Sequence, residues 1–173
     1  MREAGRITGE AILIAAEAIK EGVTTKHLDD LIRTHIEKCG AKPTFLGYGG
    51  FPASACISIN EQVIHGIPSP EVVLKEGDVV KIDVGATYKG FVGDSANTFG
   101  VGKIDSKARE LIDVTKASFM AGVEQFKDGN RIGDIGHAVQ EYCESRGYSV
   151  IRKYTGHGVG REMHEDPSVP NYG

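Results

Sequence analysis

Hydrophobic positions recur with two different spacings along this chain, which divides it into helical and strand segments. From residue 1 to about residue 20 the apolar residues follow helical spacing, and this first helix ends before Gly22. The same spacing predicts a second helix from about Thr25, as its N-cap, to Cys39. A short run at 56–59, rich in β-branched residues, predicts a strand.

The pattern returns to helical spacing in the second half. A third helix is predicted to begin at Asp105 or Ser106, and a fourth covers about 132–144. Strand-like runs follow at 149–154 and at the proline-containing end of the chain. The apolar positions that we expect to face inward on these two helices are Leu111, Ile112, Phe119, Val123, Phe126, Ile135, Val139 and Cys143.

Between the halves, residues 78–99 read as a β-hairpin, with one aspartate in each strand where a buried strand favours an apolar residue. A two-residue loop at Tyr88-Lys89 or at Lys89-Gly90 puts Asp83 and Asp94 on the same face. They are then directly opposite or diagonal, roughly 4.5–8 Å apart at Cβ. A three-residue loop without a bulge would turn Asp94 to the other face.

Two carboxylates this close repel each other unless solvent separates them, they share a proton, or a cation lies between them. His157 is a candidate third ligand, because its flanking glycines let the backbone come close and leave the imidazole accessible. Taken alone, it could equally be a loop histidine that hydrogen-bonds the backbone. A histidine beside two carboxylates suits Mn, Fe, Co or Zn better than Ca or Mg.

Two more histidines are candidates for acid–base or donor roles: His65, in a His-Gly-Ile-Pro turn, and His164, seven residues after His157. The alternative for each is an ordinary surface histidine. A further set of mostly apolar residues could line a pocket or could equally pack in an ordinary core. These are Phe45, Tyr48, Phe51, Cys56 and Met163.

The order of elements repeats at an offset of 107 residues. Two helices, two helix-ending glycines and a glycine loop occur twice, and the matching glycines are Gly22 with Gly129, Gly40 with Gly147, and Gly49 with Gly156. We therefore expect one α/β domain over 1–173, built from two halves around a pseudo-twofold axis. The first half covers about 1–102, and the second, about 103–173, has no counterpart of the hairpin.

Composition restricts the setting of this chemistry. With 40% hydrophobic and 25% charged residues, the 173-residue chain is typical of a soluble globular domain. Its net charge of -4, with no cluster of Lys and Arg, argues against nucleic-acid binding. No apolar run is long enough to span a membrane, and Glu3 and Glu10 are unlike a signal peptide. Three scattered cysteines favour reduced thiols, so we expect a cytoplasmic protein.

Three stretches carry a family resemblance: GYGGFPASACISINEQVIHGIP, GDVVKIDVGATYKGFVGDSANTF and YTGHGVGREMHEDPSVPNYG. They resemble the type I methionine aminopeptidases, a family with the pita-bread fold, in which two related α/β halves carry antiparallel sheet with helices on one face. The resemblance implies that Asp83, Asp94 and His157 are three of five ligands to two divalent metal ions. It also implies that His65 contacts the substrate near the scissile bond and that His164 hydrogen-bonds the scissile carbonyl and the tetrahedral intermediate.

The family lines its methionine pocket at positions matching Phe45, Tyr48, Phe51, Cys56 and Met163. Met163 stands where the family often has an aromatic residue. The two remaining family ligands are glutamates, one of them also the general base, and they have no counterpart in these 173 residues. We therefore expect a chain shortened at both ends relative to the family, most seriously at the C-terminus.

The resemblance implies removal of the N-terminal methionine from peptides and nascent chains, with the ribosome as a further partner. Three alternatives remain open: an inactive shortened chain, a non-catalytic binding module of the same fold, and a relative of creatinase or prolidase. The combination of Asp83, Asp94, His157, His65 and His164 disfavours a pure binding module, which has no need of that set. The absence of a large N-terminal domain disfavours the creatinase and prolidase type.

Overall fold

The computed structural model describes residues 1–173. Its helices are α1 (Arg2–Ala18), α2 (Thr25–Lys38), α3 (Ser106–Glu124) and α4 (Ile132–Glu144), with a short 3-10 helix at Tyr48–Gly50. Its strands are β1 (Lys42–Pro43), β2 (Ala55–Ile59), β3 (Val79–Tyr88), β4 (Phe91–Gly100), β5 (Gly156–Gly158) and β6 (Glu165–Val169). None of the helices combines the length and the apolar character needed to cross a membrane.

The residues fall into two compact units. The first unit contains residues 1–105 together with 159–163, and the second unit contains 106–158 together with 164–173.

In the first unit, β3 is the central strand of an antiparallel sheet. It pairs with β4 along one edge, and with β2 and the short β1 along the other. Helices α1 and α2 supply a row of apolar side chains that pack against this sheet, as their periodicity predicts. The largest fully buried side chains of this core include Ile7, Leu28, Ile32, Ile36, Ile57, Val80, Ile82 and Val84.

The loop between β3 and β4 is Lys89-Gly90, one of the two alternatives that the sequence left open. Tyr88 pairs with Phe91, and the two loop residues have φ of 49° and 80°. Positive φ at both positions is the signature of a type I′ turn, whose twist matches that of the strands it joins. The prediction of a two-residue loop is therefore confirmed.

The start of α2 differs from the prediction by one residue. Thr24, not Thr25, is the N-cap, because its hydroxyl accepts a hydrogen bond of 3.1 Å from the backbone N–H of His27. The Thr25 hydroxyl instead donates to the carbonyl of Ser69 and accepts from its N–H. Thr24 therefore caps the helix, and Thr25 anchors the loop that contains Ser69.

In the second unit, α3 packs against α4, and β5 pairs with β6. The helices approach at Gly122, where an added Cβ would lie 2.8 Å from Val139 Cγ2 and 3.3 Å from Ile135 Cγ2. The small residues Ser118 and Gly122 are therefore the buried positions of α3. Cys143 is buried on α4, as predicted.

The prediction of inward-facing residues on α3 was wrong at four positions. Leu111, Phe119, Val123 and Phe126 are 49%, 65%, 45% and 80% exposed. Helical spacing identifies an apolar face, but it does not say which neighbour covers that face. Within these 173 residues α3 meets α4 through its small residues, so its large apolar side chains remain at the surface.

The strand predicted at 149–154 was also wrong, because the structure has no strand there. A strand needs a partner for its backbone groups, and high β-propensity alone does not supply one. The proline-containing end is a strand only in part: β6 (Glu165–Val169) reaches it at residues 168 and 169 and pairs with β5, and both strands lie largely in the stretch 156–167 that was predicted as a loop.

Helix α1 approaches the sheet most closely at Gly93, which gives a test of the packing. An added Cβ at Gly93 would lie 2.4 Å from the backbone carbon of Ala4, so Gly93→Ala has to displace the helix. We expect this overpacking to lower the free energy of unfolding by about 1–3 kcal/mol. Urea unfolding followed by circular dichroism measures the change.

Gly9→Ala is the matched control, because Gly9 lies within α1 and nothing surrounds its added Cβ within 4 Å. Replacing a glycine inside a helix with alanine should raise the free energy of unfolding by about 0.5–1 kcal/mol. Equal effects of the two substitutions would contradict the close approach at Gly93.

Candidate metal centre and apolar pocket

The two aspartates of the hairpin lie on the same face of the sheet, on the diagonal. Asp94 pairs with Gly85 and Asp83 pairs with Ala96, so the acids are offset by two residues across the ladder. Their side chains are hydrogen-bonded to each other. Two carboxyl groups can form such a bond only when one of them carries a proton.

Burial is the main cause that raises the pKa of Asp83, and the charge and hydrogen bond of Asp94 raise it further, to about 7. The backbone N–H of Val84 acts in the opposite direction as the smallest contribution. The raised pKa means that the two groups resist being charged together, so one proton is retained more readily. A divalent cation would replace this proton and remove the repulsion, so the acid pair fits a metal.

Cys56 lies directly across from Asp83 on β2. Burial, followed by the nearby charges of Asp83 and Asp94, raises the pKa of this thiol to about 12. Cys56 is therefore a neutral thiol at physiological pH and acts as an apolar surface beside the acid pair.

An apolar cluster adjoins the acid pair through Cys56. Its other buried members are Phe45, Val92 and Met163, and Phe51 and Val159 pack against them. Four of the five residues predicted to line a pocket thus lie together. The fifth, Tyr48, is 51% exposed in the 3-10 helix and is not part of this cluster.

Sequence reasoning missed Val92 and Val159 as members of this cluster. Val92 could have been found, because strand alternation puts it on the same face as Asp94, two residues away. Val159 carries no comparable signal, since it follows a glycine-flanked histidine and lies outside any predicted strand.

A glycine in β3 makes room for the Phe45 ring. An added Cβ at Gly85 would lie 2.5 Å from Phe45 Cε1, and the backbone N–H of Thr44 donates to the Gly85 carbonyl at 2.9 Å. Gly85 pairs with Asp94 in the ladder. The Phe45 ring therefore lies beside the position of β3 that is directly across from Asp94.

The segment 159–163 contributes Met163 to the cluster. The backbone N–H of Val92 donates to the Gly160 carbonyl at 2.8 Å, which attaches the segment to the start of β4. The Arg161 guanidinium lies 4.9 Å from the centre of the Phe91 ring and adds a cation–π contact. These contacts fix where the Met163 side chain enters the cluster.

Two of the three predicted site histidines, His157 and His164, lie together in the second unit. The rings of His157, on β5, and His164, just before β6, have centroids 4.2 Å apart and are tilted by 45°. His157 Nδ1 is 2.9 Å from the carbonyl oxygen of Gly158. A carbonyl only accepts, so Nδ1 carries the hydrogen and Nε2 of the neutral ring keeps its lone pair, an orientation typical of metal-binding histidines.

His65 belongs to the first unit and sits in an exposed loop with a positive φ of 59°. The loop is held by Gly66, whose carbonyl accepts from Ile57 N–H at 2.9 Å and whose N–H donates to Ser58 Oγ at 3.0 Å. An added Cβ at Gly66 would lie 2.2 Å from the Ile57 carbonyl oxygen, so only glycine fits. The backbone that presents His65 is thus fixed against β2.

Known proteins resemble this chain in sequence and in structure. The profile of metallopeptidase family M24 matches residues 1–173. A methionine aminopeptidase of Clostridium acetobutylicum is 57% identical over 173 residues, which is 100% of this chain and 69% of that protein. The structure is similar to crystal structures of methionine aminopeptidases from Thermotoga maritima and Rickettsia prowazekii. The first has a TM-score of 0.98 and 45% identity, covering 100% of this chain and 70% of that one. The second has a TM-score of 0.97 and 44% identity, covering 99% and 69%.

The acid pair predicts a characteristic dependence of stability on pH. An unfolded Asp83 loses its proton near its ordinary pKa of 3.8, whereas the folded residue keeps it until about pH 7. The unfolded chain is therefore increasingly favoured as pH rises between these values, and the metal-free protein loses stability over that window. The loss should be on the order of a few kcal/mol.

Asp94→Asn removes the neighbouring charge, so it should stabilise the metal-free protein at pH 8 and have little effect at pH 4.5. Urea unfolding in the presence of a chelator measures both. Glu17→Gln, at an exposed position of α1, is the control for loss of one carboxylate. An Asp94→Asn variant that is destabilised at pH 8 would show that the two acids do not oppose each other.

Proposed function

Because this chain belongs to the methionine aminopeptidases of metallopeptidase family M24, we propose that its site hydrolyses the peptide bond after an N-terminal methionine. The likeness to the two crystal structures confirms the predicted pita-bread fold. The single observation that carries the proposal is that the acid pair lies beside the apolar cluster. Cys56 joins them, because it is a member of the cluster and lies across from Asp83. An enzyme that removes one terminal residue needs its reacting centre next to the pocket for that residue.

The metal would be held by Asp83 and Asp94, with His157 as a further ligand. Two observations support this choice: the closeness of the two acids, which raises the pKa of Asp83, and the contact of His157 Nδ1 with the Gly158 carbonyl, which leaves the lone pair of the ring on Nε2. We propose two divalent ions, drawn from Co, Mn, Fe and Zn, since carboxylate and imidazole ligands suit this group. When bound, the ions supply Lewis-acid activation of a water molecule and of the scissile carbonyl.

The chain's own residues bind and orient the substrate. The methionine side chain enters the apolar cluster of Phe45, Cys56, Val92 and Met163, where the neutral Cys56 thiol and the Met163 thioether offer polarizable contacts. Phe51 and Tyr48 are the remaining proposed pocket residues, with Tyr48 at the exposed end. Binding of the side chain brings the scissile bond beside the acid pair, since Cys56 lies across from Asp83.

Two histidines act on the peptide itself. We assign His164 to the scissile carbonyl, where a donated hydrogen bond stabilises the negative charge that develops on oxygen. Its ring lies against His157, so the donor is held close to a proposed ligand. His65 is assigned to the substrate near the scissile bond, and its fixed loop backbone limits the positions that the imidazole can reach.

The setting of this activity is also part of the proposal. We propose nascent chains and peptides that begin with methionine as substrates, the ribosome as a partner, and the cytoplasm as the location. The free thiols of Cys39, Cys56 and Cys143 support a reducing compartment.

A peptidase assay tests the function. The purified chain, loaded with Co²⁺ or Mn²⁺, should release methionine from a Met-Ala-Ser peptide, and prior treatment with a chelator should abolish release. Asp94→Ala should lower kcat/KM by at least about 10⁴-fold, because it removes a ligand and leaves one carboxylate. Absence of turnover under every metal tested would favour one of the two alternatives, an inactive shortened chain or a non-catalytic binding module of the same fold.

His164→Ala should lower kcat by about 10²–10³-fold, the range for loss of one donor to a developing oxyanion. Metal content, measured by atomic emission, should not change. His137→Ala, at an exposed position of α4, is the matched control and should have wild-type kcat. A His164→Ala variant with lowered metal content and unchanged kcat would assign His164 to metal binding instead.

A further inference from the structure

Three side chains of different chemistry converge between α1 and α2, at residues that the proposed function does not use. Glu10 lies on α1, His35 lies on α2, and Cys39 directly follows α2. Glu10 Oε2 is 3.3 Å from His35 Nε2, and Cys39 Sγ is 3.5 Å from the same nitrogen. One donor atom from each residue lies within 4.8 Å of the other two.

The convergence on one nitrogen excludes a catalytic triad. In a cysteine–histidine–carboxylate triad, the thiol contacts one ring nitrogen and the carboxylate contacts the other, so that the ring passes a proton between them. Here both partners contact Nε2 of His35. The arrangement instead suits either one N–H shared between two acceptors or one ion held by three ligands.

The spacing of the three atoms agrees with a tetrahedral metal. Zinc binds imidazole nitrogen and carboxylate oxygen at about 2.0–2.2 Å and thiolate sulfur at about 2.3 Å. At tetrahedral angles these bonds separate nitrogen from oxygen by about 3.4 Å and nitrogen from sulfur by about 3.6 Å. The observed separations of 3.3 and 3.5 Å are close to these values, and the oxygen and the sulfur lie within 4.8 Å of each other.

The contacts of Glu10 favour its charged form and orient its carboxylate toward His35. Arg6 Nη1 lies 2.5 Å from Glu10 Oε1, which leaves Oε2 directed at His35. The hydrogen bond from Arg6 is the main cause that lowers the pKa of Glu10. Glu3 also pairs with Arg6, so the nearby positive charge is shared between two acids. Arg6 therefore orients the carboxylate, as outer partners of metal ligands commonly do.

An ion can also reach the cluster. The His35 side chain is 19% exposed, the Glu10 side chain is 39% exposed, and Cys39 is half-buried. Three protein ligands with access to solvent leave the fourth tetrahedral position for water.

We propose that Glu10, His35 and Cys39 form a zinc-binding site that links α1 to α2. The thiol proton of Cys39 is released to solvent when sulfur binds the ion, and the hydrogen of the His35 ring resides on Nδ1. Bound zinc stabilises the helix pair whose apolar faces cover the sheet that carries the acid pair.

Cobalt spectroscopy tests the site, because Co²⁺ bound by a thiolate has a near-ultraviolet charge-transfer band that oxygen and nitrogen ligands do not produce. The chain carrying Asp83→Asn and Asp94→Asn serves as the parent, so that metal binding at the acid pair is removed. Titration with Co²⁺ should develop the band at one equivalent, and Zn²⁺ should abolish it by displacement.

Cys39→Ser in this parent should abolish the band, whereas Cys56→Ser and Cys143→Ser should retain it. Glu10→Gln and His35→Ala should weaken zinc affinity by about 100-fold or more, beyond the roughly 10- to 100-fold typical of losing an outer partner. His27→Ala, an exposed histidine on α2, should leave the affinity unchanged.

Thermal unfolding provides a second readout that does not depend on cobalt. Zinc should raise the melting temperature of the parent and leave that of its Cys39→Ser variant unchanged, while both melt alike in chelator. No thiolate band in the parent, or a band that is lost with Cys56→Ser and kept with Cys39→Ser, would overturn the proposal. Equal zinc stabilisation of the parent and the Cys39→Ser variant would overturn it as well.

Discussion

The architecture of the first unit depends on two carboxyl groups held too close for both to be charged. Asp83 and Asp94 occupy diagonal positions in the central pair of strands, and burial together with the charge of Asp94 raises the pKa of Asp83 to about 7. The fold supports this arrangement because the surrounding sheet, helices and apolar cluster supply the stabilisation that the pair lacks. A cation between the two carboxylates would be attracted by both of them. The closeness that makes the two acids repel each other therefore also favours metal binding.

Glycines next to the acid pair adapt the strands to their neighbours. Gly85, across from Asp94, admits the Phe45 ring on one strand, and Gly93, directly before Asp94, admits the backbone of α1 on the other. A side chain at Gly85 would displace the Phe45 ring, and a side chain at Gly93 would displace α1. The half-buried acids can therefore lie in a thin hairpin because small residues beside them let larger groups approach.

Much of this site follows from local sequence rules. Strand alternation and a short loop predicted that Asp83 and Asp94 share a face, and the structure confirms the diagonal pairing. The sequence left open the choice between two loop positions, because both place Lys89 in the loop, where it adopts a positive φ that glycine accepts more easily. The prediction that apolar residues of α3, such as Phe119, are buried was wrong for a different reason. Periodicity defines an apolar face, but it does not identify the element that covers that face. The contact of Glu10 with His35 joins separate helices, and no local pattern predicts it.

The two-residue turn at Lys89-Gly90 sets a limit on how this protein can change over evolution. Surface turns are usually where chains accept inserted residues. Here a single inserted residue would reverse the alternation of β4, moving Asp94 from the face of Asp83 and Val92 out of the apolar cluster. The turn can thus vary in composition, within the positive φ that it requires, while its length must stay fixed. The length of a loop that takes no part in the proposed chemistry is thus constrained by the residues that follow it.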